Sequence, residues 1–168
     1  MKNIILTGFM GTGKTEVGKI LSQKLGLVLI DADAEIEKEQ RTTITEIFQS
    51  QGEAAFRDLE SSMIKRLSTL HDIVLSTGGG VVLRQENIDA LRKNGTIVCL
   101  SASPETILRR TGKNKNRPLL QTADPLQKIK ELYEFRKPYY ERADIIIDTD
   151  NLVPLQVAEE VIKAVKDR

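Results

Sequence analysis

The chain has 168 residues, 40% of them apolar, which is enough to bury one hydrophobic core without disulfides. Acidic and basic residues nearly cancel, 24 against 25, so no global field draws the chain to nucleic acid or to an anionic membrane. The expectation is a single domain over 1–168, monomeric and cytoplasmic, with no nucleic-acid or membrane partner, since the first apolar segment stops at a glycine loop and no run approaches membrane-spanning length.

Short β-branched runs alternate with helical patterns. Ile4 to Thr7, Val28 to Asp31, Ile73 to Ser76, Thr96 to Ser101 and Ile145 to Asp148 read as strands of a parallel sheet covered by helices on both faces. The first strand runs into Gly8-Phe9-Met10-Gly11-Thr12-Gly13-Lys14-Thr15, which fits the phosphate-binding loop G-x-x-x-x-G-K-[ST] at every fixed position. Successive backbone N–H groups of such a loop converge on one anion, and the helix that opens near Lys14 adds its positive dipole end. Lys14 is expected to reach the β- and γ-phosphates and the Thr15 hydroxyl to ligate Mg²⁺. Glu16 stands beside these groups; pointing outward it would favour the helix dipole and spare the phosphates.

That first helix carries Val17, Ile20, Leu21 and Leu25 at helical spacing and is expected to end in a left-handed cap at Gly26. A second begins close to Asp33. Thr43-Ile44-Thr45-Glu46 has capping-box spacing, Gly52 interrupts the helix it launches, and a longer helical pattern runs from Glu53 to Leu70. Further helices are predicted over Gln85 to Lys93, Pro104 to Arg110 and Pro125 to Lys137; Val157, Val161, Ile162 and Val165 give the last helix its buried stripe. The lone cysteine, Cys99, lies in an apolar run and reads as a core residue.

Three constellations carry chemistry. Asp31 and Asp33 stand at the end of the second strand, where open α/β sheets place their ligands; one could hold a metal-bound water and the other a substrate hydroxyl, and Asp33 is expected also to cap the next helix. An ordinary Asp titrates near about 4, so Asp33 would orient a hydroxyl more than deprotonate it. Arg57 has Glu53 four residues before it and Glu60 three after, both able to reach its guanidinium on a helix; helix arginines of this kind are mostly solvated. Gly78-Gly79-Gly80 exceeds what a turn needs and suits a wall that a small polar ligand approaches closely. The basic stretch Thr111 to Pro118, with Lys113, Lys115 and Arg117, is either an ordinary surface loop or a lid over about 111–123. His71 receives no catalytic part.

Taken together, Asp31-Ala32-Asp33, Phe56-Arg57 with Glu60, Gly78-Gly79-Gly80, Arg117-Pro118-Leu119-Leu120 and Arg136 followed by Pro138 and Tyr139 resemble the shikimate kinase family over almost the whole chain. The resemblance implies a nucleoside monophosphate kinase-like three-layer α/β/α fold with a five-stranded parallel sheet of order 2-3-1-4-5. It implies transfer of the ATP γ-phosphoryl group to the 3-hydroxyl of shikimate, a step towards chorismate and the aromatic amino acids, with Mg²⁺ as cofactor.

Carried onto matching positions, Gly11, Thr12, Gly13, Lys14 and Thr15 would hold the ATP phosphates, Arg110 and the Asp150 to Pro154 segment would enclose adenine, and Arg117 would be the lid cation. Asp33 would bind the substrate hydroxyls and serve as candidate base, within an acceptor region of about 33–60. Arg57 and Arg136 would clamp the carboxylate, with Gly78, Gly79 and Gly80 as the adjoining wall. Asp31 would serve Mg²⁺ through water, with Ser76 in place of the acidic residue usual at the end of its strand. Two other readings share the phosphate loop: a related small-molecule or nucleotide kinase, against which Arg57, Arg136 and the triple glycine argue, and a nucleotide-binding regulatory module without catalysis.

Overall fold

A computed structural model describes residues 2–112 and 122–168. Within them, β1 (Asn3–Thr7), β2 (Val28–Asp31), β3 (Ile73–Ser76), β4 (Gly95–Ser101) and β5 (Ile145–Asp148) form one parallel sheet in the order β2-β3-β1-β4-β5. Every strand lies within a residue of its predicted bounds. Parallel pairing needs a crossover after each strand, and the intervening helices supply it.

The strands are apolar on both faces because both faces are covered. Ile4 and Leu6 of β1 and Val98 and Leu100 of β4 pack with Val17, Leu21, Val157 and Val161, the buried stripes of α1 (Lys14–Leu25) and α8 (Pro154–Lys166). The alternate residues Ile5, Ile97 and Cys99 turn the other way, towards Ile64, Ile88, Leu91 and Ile129 on α4 (Glu53–Leu67), α5 (Gln85–Asn94) and α7 (Pro125–Tyr140). Strand periodicity of two thus divides one sheet between two cores. Each such Leu or Ile, withdrawn from water, contributes about 1.5–3 kcal/mol. Cys99 is a member of the second core, and burial pushes its thiol up to about 11, so it stays protonated and inert.

Local signals set the helix ends. Gly26 adopts φ 68 as the left-handed cap of α1. Thr43 and Glu46 complete the capping box that opens α3 (Ile44–Gln51), and Gly52, at φ 86, separates it from α4.

Three expectations shift. The cap of α2 (Ala32–Gln40) is Asp31, whose side chain accepts from the Ala34 N–H at 3.0 Å; Asp33 sits in the first turn, relieved of capping. The physical reason is register: Asp31 pairs with Ser76 at the last rung of the β2–β3 ladder, so the chain turns there. Helix α4 stops at Leu67 and not Leu70, because the Ser68 and Thr69 hydroxyls donate back to the Lys65 and Arg66 carbonyls and close its last turn. Helix α7 does not stop at Lys137. It runs through Pro138 to Tyr140, forgoing the one bond that proline cannot donate.

Strand β1 is the centre of the sheet, with connections leaving to either side, β3 on one edge and β4 on the other. Such a reversal opens a crevice at the carboxyl ends of the strands.

Candidate active site

The crevice is a cleft of about 480 Å³ whose walls include Gly11, Lys14, Asp31, Asp33, Gly79 and Arg110. Thr12, Gly13, Thr15, Gly78 and Pro154 line it too. Its floor is the loop between β1 and α1. Gly8 there takes φ 135, and a Cβ on it would overlap the Leu100 carbonyl, so only glycine permits this path beside β4. Thr12 is buried, its hydroxyl donating to the Phe9 carbonyl at 2.8 Å. Lys14 Nζ donates to the carbonyls of Gly8 at 2.7 Å and Phe9 at 3.0 Å, which holds the ammonium over the loop. Glu16 is exposed and pairs with Lys19 at 2.9 Å, and it is also among the residues that line the cleft.

Arg110, on α6 (Pro104–Thr111), ties one end of the cleft together. It donates to the Thr149 hydroxyl and carbonyl, both at 2.9 Å, and to the Gly11 carbonyl at 3.4 Å. Arg110 from α6 and Pro154 at the start of α8 both line the cleft. Arg117 lies outside the described residues, as does most of the expected lid.

Opposite Lys14 stand the carboxylates. Asp33 projects from the first turn of α2; its Oδ1 is shielded from water and accepts no hydrogen bond among the described residues. Burial, then the charges of Glu60 and Asp31, push its carboxyl up to about 7, against a smaller pull from Lys14 and Arg57. The expectation of an ordinary carboxyl is therefore corrected: Asp33 titrates near neutrality, within range of a general base.

For Arg57 the structure decides against the solvated alternative. The residue is buried, with Nη1 donating to Glu60 Oε1 at 2.8 Å and Nη2 to Glu53 Oε1 at 3.4 Å. Glu60 is itself buried, and burial raises its carboxyl against the opposing pull of Arg57. The Arg57 Nε–H and Glu60 Oε2 have no hydrogen-bond partner among the described residues, so the pair holds unspent polar capacity beside the cleft.

The three glycines after β3 explain one another. A Cβ on Gly78 would lie 2.8 Å from Asp33 Oδ1 and 3.2 Å from Glu60 Oε2; one on Gly79 would lie 3.2 Å from Arg136 Nη1; one on Gly80 would overlap the Arg57 guanidinium. Each glycine faces a different charged group. Asp33 from α2, Arg57 and Glu60 from α4 and Arg136 from α7 thus meet around one glycine segment. Buried Arg136 lies against the face of Phe9, 5.6 Å from its centroid, which links α7 to the phosphate loop.

Two residues here escape sequence reading. Phe9 occupies a variable position of the loop motif, yet it is fully buried beneath Arg136. Of the two adjacent tyrosines, Tyr139 packs outward against Phe135 and Arg142, whereas the Tyr140 hydroxyl donates to the Gly79 carbonyl at 2.7 Å. Extending the helical pattern past Pro138 places Tyr140 one turn after Arg136, on the same face, and that spacing was the available signal.

For a divalent cation, the cleft offers the Thr15 hydroxyl and the Asp31 carboxylate. Among the described residues no group of three or more His, Cys, Asp or Glu could hold a metal ion. A hydroxyl and one carboxylate beside a phosphate loop fit Mg²⁺, which keeps waters and takes phosphate oxygens and needs no all-protein cage. Among the same residues no helix is long and apolar enough to cross a membrane.

Comparison with known proteins finds one family. The family model described as shikimate kinase matches residues 10–166. The chain is 52% identical to the shikimate kinase of Thermodesulfovibrio yellowstonii, covering 97% of this chain and 94% of that one. It is 50% identical to that of Caldicellulosiruptor saccharolyticus, covering 96% and 94%. Among solved structures, the shikimate kinase of Acinetobacter baumannii in complex with shikimate superposes with a TM-score of 0.95 at 37% identity, covering 99% of this chain and 94% of that one. That of Aquifex aeolicus gives 0.85 at 37% identity, covering 98% and 96%. With the family model spanning nearly the whole chain and half of all residues shared with its relatives, the chain belongs to the shikimate kinase family.

Proposed function

We propose that this chain catalyses transfer of the ATP γ-phosphoryl group to the 3-hydroxyl of shikimate, giving shikimate 3-phosphate and ADP on the route to chorismate and the aromatic amino acids. The observation that carries the reading is the assembly around Gly78, Gly79 and Gly80, which gathers the Asp33 and Glu60 carboxylates and two buried guanidinium groups about a glycine segment whose first two residues line the cleft. A small acceptor with hydroxyls at one end and a carboxylate at the other matches that charge pattern.

The division of labour follows from charge. The backbone amides of Gly11, Thr12 and Gly13 and the Lys14 ammonium receive the ATP phosphates, and Arg110 and Pro154 border the base. Thr15 directly, and Asp31 through water, would hold Mg²⁺, which would neutralise charge on the phosphate oxygens. Arg57 and Arg136 hold the acceptor carboxylate as planar donors. Asp33 accepts the proton of the hydroxyl as it attacks, and the glycine wall lets the ring approach backbone. Phosphoryl transfer demands mainly alignment and electrostatic stabilisation, and these rigid elements supply both.

The same reading takes 1–168 as one kinase domain acting as a monomer in the cytoplasm, without nucleic-acid or membrane partners. Residues of about 33–60 form its acceptor region and about 111–123 its lid, with Arg117 the lid cation. The direct test is a coupled assay of ADP release with MgATP and shikimate. Turnover that depends on both supports the proposal; ATP binding without acceptor phosphorylation, or preference for another acceptor in a panel of alcohols and nucleotides, refutes it.

A further inference from the structure

We propose that Tyr140 is a positioning residue of the acceptor site, its hydroxyl fixing the Gly79 peptide and the Arg136 guanidinium against each other. The inference rests on the assignment of Arg136 to the acceptor carboxylate. Arg136 and Tyr140 are one turn apart on α7, so their side chains rise from the same helix face. The Tyr140 hydroxyl donates to the Gly79 carbonyl at 2.7 Å, and the Gly79 backbone in turn abuts Arg136, with only 3.2 Å between its ideal Cβ position and Nη1. The Arg136 charge also acts on the phenol, favouring its ionised form against the larger opposing effect of burial. One hydroxyl therefore holds the peptide against which Arg136 rests, across 61 residues of sequence.

The surroundings make this contact hard to replace. Tyr140 is 4% exposed and Arg136 5%, so water does not readily substitute for either partner. Behind them the rings form a ladder, Phe9 to Tyr133 at 5.8 Å and Tyr133 to Tyr140 at 6.2 Å, and Phe9 lies under Arg136. These rings hold the phenol in place but offer no polar group to Gly79 or Arg136. Burial also keeps the phenol protonated far above neutrality, so it is a donor at every working pH. Its packing and its polar contact are separable, because a phenylalanine preserves the ring and removes only the oxygen.

The test is steady-state kinetics with shikimate varied at saturating MgATP and the converse, alongside thermal melting, for Tyr140→Phe, Arg136→Lys and Tyr133→Phe. Loss of a buried hydrogen bond that leaves the Gly79 carbonyl unsatisfied predicts that Tyr140→Phe raises the shikimate KM about tenfold and leaves the MgATP KM within about twofold. Arg136→Lys raises the shikimate KM at least as much, and Tyr133→Phe changes neither KM. An unchanged shikimate KM in Tyr140→Phe, with Arg136→Lys impaired, overturns the role of Tyr140 and leaves the acceptor assignment standing. A normal shikimate KM in Arg136→Lys overturns that assignment and the inference with it. Parallel rises in both KM values with a lowered melting temperature, or an equal effect from Tyr133→Phe, assign Tyr140 to packing alone and also overturn the inference.

Discussion

Arg57 and Glu60 form a buried ion pair on one turn of α4, Nη1 to Oε1 at 2.8 Å, with the guanidinium directed at Gly80, next to the cleft-lining Gly79. A second acid, Glu53, meets the same guanidinium at 3.4 Å from a largely exposed position. Both acids lie within about one helical turn of Arg57, and their environments are unequal.

Removing the buried acid should matter and removing the exposed one should not. Glu60→Gln leaves the Arg57 charge without its compensating partner, and the expected loss of stability is about 3 kcal/mol by urea denaturation. The shikimate KM should rise about tenfold or more with the MgATP KM little changed. Glu53→Ala should cost less than about 1 kcal/mol. Equal effects from both substitutions would show that burial does not distinguish them.

The pH dependence of turnover should report Asp33. With its carboxyl raised to about 7, the basic form is lost as pH falls through that value, so kcat/KM for shikimate should fall about tenfold per pH unit below about pH 6. A flat profile down to pH 5 would contradict a neutral-range base. Asp33→Asn should lower kcat by about 10² to 10⁴ and abolish that limb of the profile.

Asp33 should also cost stability, with a sign fixed by its shift. Its carboxyl titrates near 3.8 when unfolded and about 7 when folded, so between those values the folded state binds the extra proton. Stability therefore falls as pH rises from about 4 to 7, and above 7 the full penalty of burying the charge is present. Asp33→Asn should accordingly be more stable than the parent at pH 8, by about 1–2 kcal/mol, and the gap should narrow at pH 5. Thermal or urea denaturation at the two pH values checks this, and a gap that widened at pH 5 would refute it.

The glycine wall makes a graded prediction. Gly80→Ala places a methyl group on the Arg57 guanidinium and should raise the shikimate KM about tenfold or more, whereas the 3.2 Å approach of Gly79→Ala to Arg136 Nη1 can be relieved by a small shift of a side-chain tip. The order of KM values, Gly80→Ala above Gly79→Ala above the parent, is the measurement; the reverse order would mean that the wall is not shaped by Arg57.

Much of the site was legible because its signals are local. The loop from Gly8 to Thr15, the Thr43–Glu46 box, the left-handed cap at Gly26 and the strands themselves depend on residues a few positions apart, and all appear where their spacing puts them. The ends of α4 and α7 and the cap of α2 were less legible, since hydroxyl back-bonding, a tolerated proline and a strand register decided them.

By itself, then, the sequence determined which residues could handle phosphate, which strands would be buried on both faces, and which arginines and glycines formed a recurring set. Only the tertiary structure decided their electrical and steric state. Burial between α2, α4 and the glycine segment raises Asp33 to neutrality, turns Arg57 from a surface cation into half of a buried pair, and selects Tyr140 over Tyr139. Desolvation and close approach depend on atoms brought together from distant parts of the chain, and no local spacing encodes them.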